Sequence, residues 1–290
     1  MTSDLIERVK AALKNLDDSL WLPGLTNELA NIGWHELHRD IGLSPSEYST
    51  ARVIARDLDV PRSIVSLVQI ALSGENPDWV LQIETLGEEF TFHFEERGIK
   101  FYTAEEINGM TVSKGFMETV NTLKCVPTLF ATIAGLVKSV HLIDAGDDDY
   151  DISFSEPHVP FSIFISIPHC CTLSGHLRVA EAVVHEAMHL QLTLIEKVVP
   201  LVATTRNKYF SPWRGEYRTA QGVMHALYVF RVIDEFLGRV PAMSYSAEEG
   251  EYIKSRRAEI NTQIQELQSF QDCPELTKEG AHFVRRLVLN

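Results

Sequence analysis

The chain has 290 residues, 45% of them hydrophobic, enough to bury a sizeable core in one large domain or two closely packed ones. Its formal net charge of −14 argues against nucleic acid and membrane surfaces as partners, because neutralising phosphates needs a surplus of Lys and Arg. No run of about 18 apolar residues marks a membrane span, the start from Met1 to Arg8 is polar and acidic, and the four cysteines are few, so a soluble, unexported, cytoplasmic protein is expected.

In chain order, the first hundred residues read mainly as a helical scaffold, distinct from a metal-binding catalytic region over 101–290. Leu5, Val9, Leu13 and Leu16 fall at helical spacing, and further helices are expected at 27–40 and 45–57, the latter with Ser44 as N-cap and Pro45 in the first turn. His35 and His38 read as surface histidines. Between residues 79 and 102 the pattern becomes mixed, with strand-like alternation in Phe90-Thr91-Phe92-His93-Phe94 and a β-rich run at 99–102. Helices follow at 114–123 and 128–138. The acidic stretch 144–151 lacks the ligand order of an EF-hand and reads as a solvated loop. Residues 161–167 alternate bulky and small side chains and predict a strand.

A helix free of Gly and Pro runs over 177–197, with Ser174 as its cap and apolar residues around most of its circumference. A second interior helix is expected at 218–236, ending before Gly238. Ser246 and Glu249 form a capping box, and Ile253, Ile260, Ile264 and Leu267 mark an amphipathic helix behind it. The fold class is therefore α+β, predominantly helical, with a small β-sheet next to a buried helix that carries His185-Glu186-Ala187-Met188-His189.

That segment is the centre of the functional reading. Histidines four apart on a helix project from one face about a turn apart and can reach a single ion at about 2.1 Å, while Glu186 stands on the adjoining edge. A catalytic ion needs a third ligand. His225, in the middle of the second helix, is the preferred candidate, with Glu216 as its rival. Arg214 and Arg218 lie between the two helices, and a helix starting by residue 218 puts Arg218 on the face of His225, as a clamp for a carboxylate. His158, His169, Cys170, Cys171 and His176 have ligand-type side chains but read as packing groups rather than a second site.

The helix with His185 to His189, the following Ser211-Pro212-Trp213-Arg214 with Arg218 four residues on, and the run from Gly222 through His225 to Phe230 together resemble the HExxH-motif proteins encoded beside ribosomal peptide natural products. The resemblance covers 161–236. It implies an iron(II), 2-oxoglutarate-dependent dioxygenase that hydroxylates the β-carbon of a residue in a precursor peptide. His185, His189 and His225 would be the metal ligands, Arg218 or Arg214 the group that binds the 2-oxo acid, and Glu186 an orienting residue. Family members often carry Arg-Pro where this chain has Arg218-Thr219, which makes Arg214 the alternative clamp.

Two other readings compete. A zinc metallopeptidase would use Glu186 to activate zinc-bound water, but the metzincin continuation after His189 is missing and Gln191 to Ile195 stands there instead. A non-catalytic peptide-binding protein would keep the helix for structural reasons alone. The expected partner is a precursor peptide whose leader, on the acidic surface, is basic, and the chain itself is a possible homo-oligomer.

Overall fold

A computed structural model of the chain describes residues 3–40, 62–70, 79–144, 146, 151–156, 161–168 and 174–289. The helix expected at 45–57, most of the acidic loop, His158 and the His169-Cys170-Cys171 group lie outside the described residues, as does the side chain of His38. The α+β, predominantly helical class holds. Among the described residues no helix is long and apolar enough to cross a membrane. The chain divides into two compact units, Met1–Leu29 with Met188–Asn290, and Ala30–Ala187.

In the first unit, helix α1 (Ser3–Lys14) buries Leu5, Val9 and Leu13 as their spacing requires, but the helix ends before Leu16, which is 57% exposed. Its carboxyl end is held from far along the chain. In helix α10 (Lys278–Leu289) the buried Arg286 donates to the Ala12 carbonyl at 2.6 Å and to that of Asp18. Gly280, in the first turn of α10, is required by close packing, since a Cβ there would stand 1.9 Å from the Leu201 carbonyl oxygen.

Helix α8 (Ala220–Arg239) is the interior element of this unit, with thirteen buried residues. Its polar residues are tied to fixed partners. Arg231 donates to the Leu287 carbonyl at 3.0 Å and to Asn261 and Asp234, while burial pushes its guanidinium pKa down. Tyr228, fully buried, meets the side-chain oxygen of Gln191 and the Leu20 carbonyl, and burial pushes its phenol far up. Helix α9 (Ala247–Gln265) starts at the expected capping box, with Ser246 Oγ accepting from Glu249 N, and buries Ile253, Ile260 and Ile264.

In the second unit the sheet has the order β1-β2-β4-β6-β5, with β3 also pairing β4. Its strands are β1 (Arg62–Ile70), β2 (Trp79–Leu86), β3 (Lys100–Phe101), β4 (Ser139–Asp144), β5 (Ser153–Phe154) and β6 (Ser162–Ser166). The central pairs β2–β4 and β4–β6 are parallel. Two of these strands, β1 and β2, fall inside the first hundred residues, which the apolar spacing had suggested were mainly helical. Helix α2 (Thr26–Asp40) agrees with expectation, as do α5 (Met110–Lys124), which follows the short α4 (Ala104–Asn108), and α6 (Pro127–Leu136), the last with Pro127 in its first turn.

The alternating aromatic run is not a strand. It forms helix α3 (Glu88–Glu95), entered from an extended Gly87 with an acidic residue in the first turn, where the helix dipole favours it. Phe94 then stacks on Phe154 at 5.3 Å, whereas Phe92 is 54% exposed. Three aromatics at alternate positions are too few to separate the two periods, and tertiary packing decided between them.

Candidate metal centre

Helix α7 (Gly175–Val198) carries His185, Glu186 and His189 without interruption, so the two histidines stand one turn apart on it. Most of its circumference is buried, as expected, but one stripe is not. Ala182, His185, His189 and Glu196 are half-buried and Thr193 is exposed. On α8 the corresponding half-open stripe holds Gln221, Gly222 and His225.

In the first unit, His189 Nδ1 stands 3.2 Å from His225 Nδ1, and the ring centroids are 5.5 Å apart, so the two imidazoles meet end-on through these nitrogens. His225 Nε2 lies 2.8 Å from Glu196 Oε2, and Gln221 Nε2 donates to the same oxygen at 3.0 Å. The carboxylate fixes the tautomer. If His225 Nε2–H donates to Glu196, the lone pair of His225 is on Nδ1, facing His189. The other face of the imidazole is thus oriented by an acid, the usual arrangement behind a metal-bound histidine.

Nitrogens at about 2.1 Å from one ion are about 3.0 Å apart at a right angle and about 3.4 Å apart in a tetrahedron. The observed 3.2 Å lies between these values, so the two nitrogens are spaced as ligands of one ion, although their lone pairs point nearly at each other and the rings would have to turn to share it. Without an ion the same contact requires His189 Nδ1 to carry a proton. Among the described residues, no group of three or more His, Cys, Asp or Glu side chains is set to hold an ion together.

In the second unit, Glu186 is 3% exposed and its Oε1 accepts a hydrogen bond from Ser153 Oγ at 2.8 Å. The same oxygen lies 4.0 Å from His185 Nε2. Glu186 is therefore fastened to strand β5, and 4.0 Å to His185 Nε2 is too long for a hydrogen bond. His176 contributes its backbone carbonyl, 3.5 Å from Thr119 Oγ1.

Arg218 is not in the helix. Residues 208–219 form a hairpin of β7 (Lys208–Ser211) and β8 (Glu216–Thr219), and α8 begins after Thr219, whose hydroxyl accepts from Gly222 N at 3.2 Å. Arg218 is nevertheless directed to the His225 face by another route. Its Nε lies 3.5 Å from where a Cβ on Gly222 would stand, and Gly222 is one turn before His225. Arg214 is exposed in the hairpin turn, where its N–H donates to the Ser211 carbonyl at 3.2 Å. Glu216, the rival ligand, is exposed in β8 and pairs with Arg218 Nε at 3.7 Å.

Glu196, Gln221 and Ser153 were not anticipated from sequence. Glu196 had a local signal, seven residues after His189 and so on the same helix face, and Gln221 precedes His225 by one turn. Ser153 had none, because it lies on a strand 33 residues before Glu186. A scan of the chain against protein families finds no match, and a search of curated proteins finds none similar.

Proposed function

We propose that the chain is an iron(II), 2-oxoglutarate-dependent oxygenase that hydroxylates the β-carbon of a residue in a ribosomally made precursor peptide. The observation that carries this reading is the pair of ring nitrogens of His189 and His225 at 3.2 Å, with Glu196 fixing the His225 tautomer behind it. The reading takes His185, one turn before His189 on the same helix, as the third nitrogen donor, a set that would leave positions open for a chelating 2-oxo acid and oxygen. When bound, the iron and the 2-oxo acid supply the oxygen activation, and the net reaction converts peptide C–H, O₂ and 2-oxoglutarate to peptide C–OH, succinate and CO₂.

The protein's own part is to hold and orient. Glu196 and Gln221 keep the His225 lone pair on the side facing His189. Arg218, over Gly222, is the group for the distal carboxylate of 2-oxoglutarate, and it suits that role better than Arg214 in the exposed turn. Glu186 is held by the Ser153 hydroxyl, which disfavours the water activation that a zinc peptidase requires.

Anaerobic reconstitution with iron(II), followed by 2-oxoglutarate, tests the reading. A metal-to-ligand charge-transfer band in the visible, lost in His189→Ala, is expected. Absence of the band, with tight zinc retention and peptide cleavage that depends on Glu186, would return the chain to the peptidases.

A further inference from the structure

Charge is distributed unevenly along the chain. Against a formal net charge of −14, the segment 206–218 holds Arg206, Lys208, Arg214 and Arg218 with Glu216 as its single acid. Arg206, Lys208 and Arg214 are exposed, and among the described residues none of them makes an ion pair. In a chain with 40 acidic residues, three cations in or just before the β7–β8 hairpin face solvent without a carboxylate partner among the described residues.

The same hairpin presents aromatic surface. Strand alternation puts Phe210 and Tyr217 opposite each other in register on one face, ring centroids 5.7 Å apart, at 42% and 66% exposure. The opposite face carries Tyr209, packed edge-on against Phe270 at 5.5 Å, and Arg218. The sheet has only these two strands, so each keeps a backbone edge without a neighbouring strand among the described residues. Such an edge accepts an added strand, with main-chain hydrogen bonds giving affinity and side-chain contacts giving selectivity.

The hairpin is also held in place before anything binds. Glu275 Oε1 accepts from the backbone N–H groups of Arg206 and Asn207, each at 2.8 Å, and from Asn207 Nδ2 at 3.0 Å. At the other end, the Ser211 carbonyl accepts from Arg214 and Gly215 N–H, with Gly215 at φ +63°. A preformed edge loses little freedom on binding. Thr219 leads straight into α8, and His225 is six residues on, about 9 Å along the helix. An extended chain covers that distance in about three residues.

We propose that the β7–β8 hairpin is the docking edge for the peptide substrate, an extended acidic segment that adds a strand beside β8. Its carboxylates meet Arg206, Lys208 and Arg214, and its apolar side chains meet Phe210 and Tyr217. That the docked peptide is a substrate rests on the oxygenase reading, whereas the docking itself does not. The basic leader suggested by overall charge is thereby replaced by an acidic segment.

The test uses the full chain and two labelled eight-residue peptides, one alternating glutamate and valine, the other lysine and valine, followed by fluorescence anisotropy. The glutamate peptide is expected to bind, to weaken with added salt, and to slow amide hydrogen exchange at 216–219. Arg206→Glu with Lys208→Glu should weaken it at least about tenfold and confer binding of the lysine peptide, which also shows that the double variant is folded. Tyr217→Ala should weaken the glutamate peptide about tenfold. Equal affinity for both peptides, affinity unmoved by these variants, absent protection at 216–219, or tighter binding of an oligothymidine of equal charge would each overturn the proposal. The charge-transfer band is recorded on the same samples. A band without glutamate-peptide binding refutes the docking edge alone, and hairpin-dependent binding without a band upholds the edge while refuting the oxygenase reading.

Discussion

His141 in the second unit and His225 in the first both stand among polar side chains on regular elements, and both have a glutamate near Nε2. They differ in how they are closed. His141, on β4, is 1% exposed, its Nδ1 3.2 Å from the Glu84 carbonyl and its Nε2 3.4 Å from Ser139 Oγ and 3.9 Å from a Glu84 carboxylate oxygen. Ser139 and Ser162 share a 2.6 Å hydrogen bond, and Phe164 stacks on the imidazole at 4.5 Å. The His225 and Glu196 side chains retain 14% and 13% of their exposure, and His225 faces a second imidazole instead of a phenyl ring. Burial of ionisable groups therefore does not mark a site by itself. The His189–His225 pair is distinguished by donors that can exchange a proton for an ion and by partial access to solvent.

The largest effect expected from this contrast is that of His225→Ala. It should abolish activity and lower iron occupancy after reconstitution, measured by metal analysis, with the circular dichroism spectrum retained. Full occupancy in the variant would show that the third ligand lies elsewhere. The matching change on the closed side is His141→Ala, which removes the ring stacked on Phe164 and its contact with the Glu84 carbonyl. A loss of about 2–4 kcal/mol in denaturant unfolding is expected, with iron affinity unchanged. If iron affinity fell as well, the two clusters would not be independent.

Glu196→Gln is the finer probe. It keeps shape and removes charge, so the His225 tautomer is less firmly set, and metal affinity should drop about 10–100-fold while the unfolding midpoint scarcely moves. An unchanged affinity would reduce Glu196 to a passive neighbour.

These predictions rest on features that were legible in the sequence to different degrees. The helices α7, α8 and α9 are legible because long runs repeat one period, and the capping box at Ser246 marks the start of α9. His185 and His189 were legible because their relation is local. The pairing of His189 with His225 spans 36 residues, and His225 is a candidate in the sequence through its place in the middle of an interior helix rather than through spacing. The hairpin is not legible in the sequence, and α8, expected from about Arg218, begins instead behind Thr219, whose hydroxyl caps Gly222 N three residues on. Contacts between a strand and a helix, such as that of Ser153 with Glu186 over 33 residues, have no local signature at all.

The smallest effect concerns a charge on the closed side. Lys138 precedes Ser139, and its Nζ donates to the Ala134 carbonyl at 3.2 Å. Burial pushes its pKa below the ordinary lysine value. The folded protein therefore releases this proton before the unfolded chain does. The penalty for the buried ammonium is complete below the folded pKa and fades as pH rises through it toward the unfolded value. Lys138→Met should thus stabilise the protein at neutral pH by less than about 1 kcal/mol, and wild type should close the gap as the solution becomes alkaline. Unfolding midpoints of both proteins at neutral and alkaline pH decide it. A gap independent of pH would mean that the ammonium already reaches water and that the closed side of the comparison is less closed at its edge than His141 is at its centre.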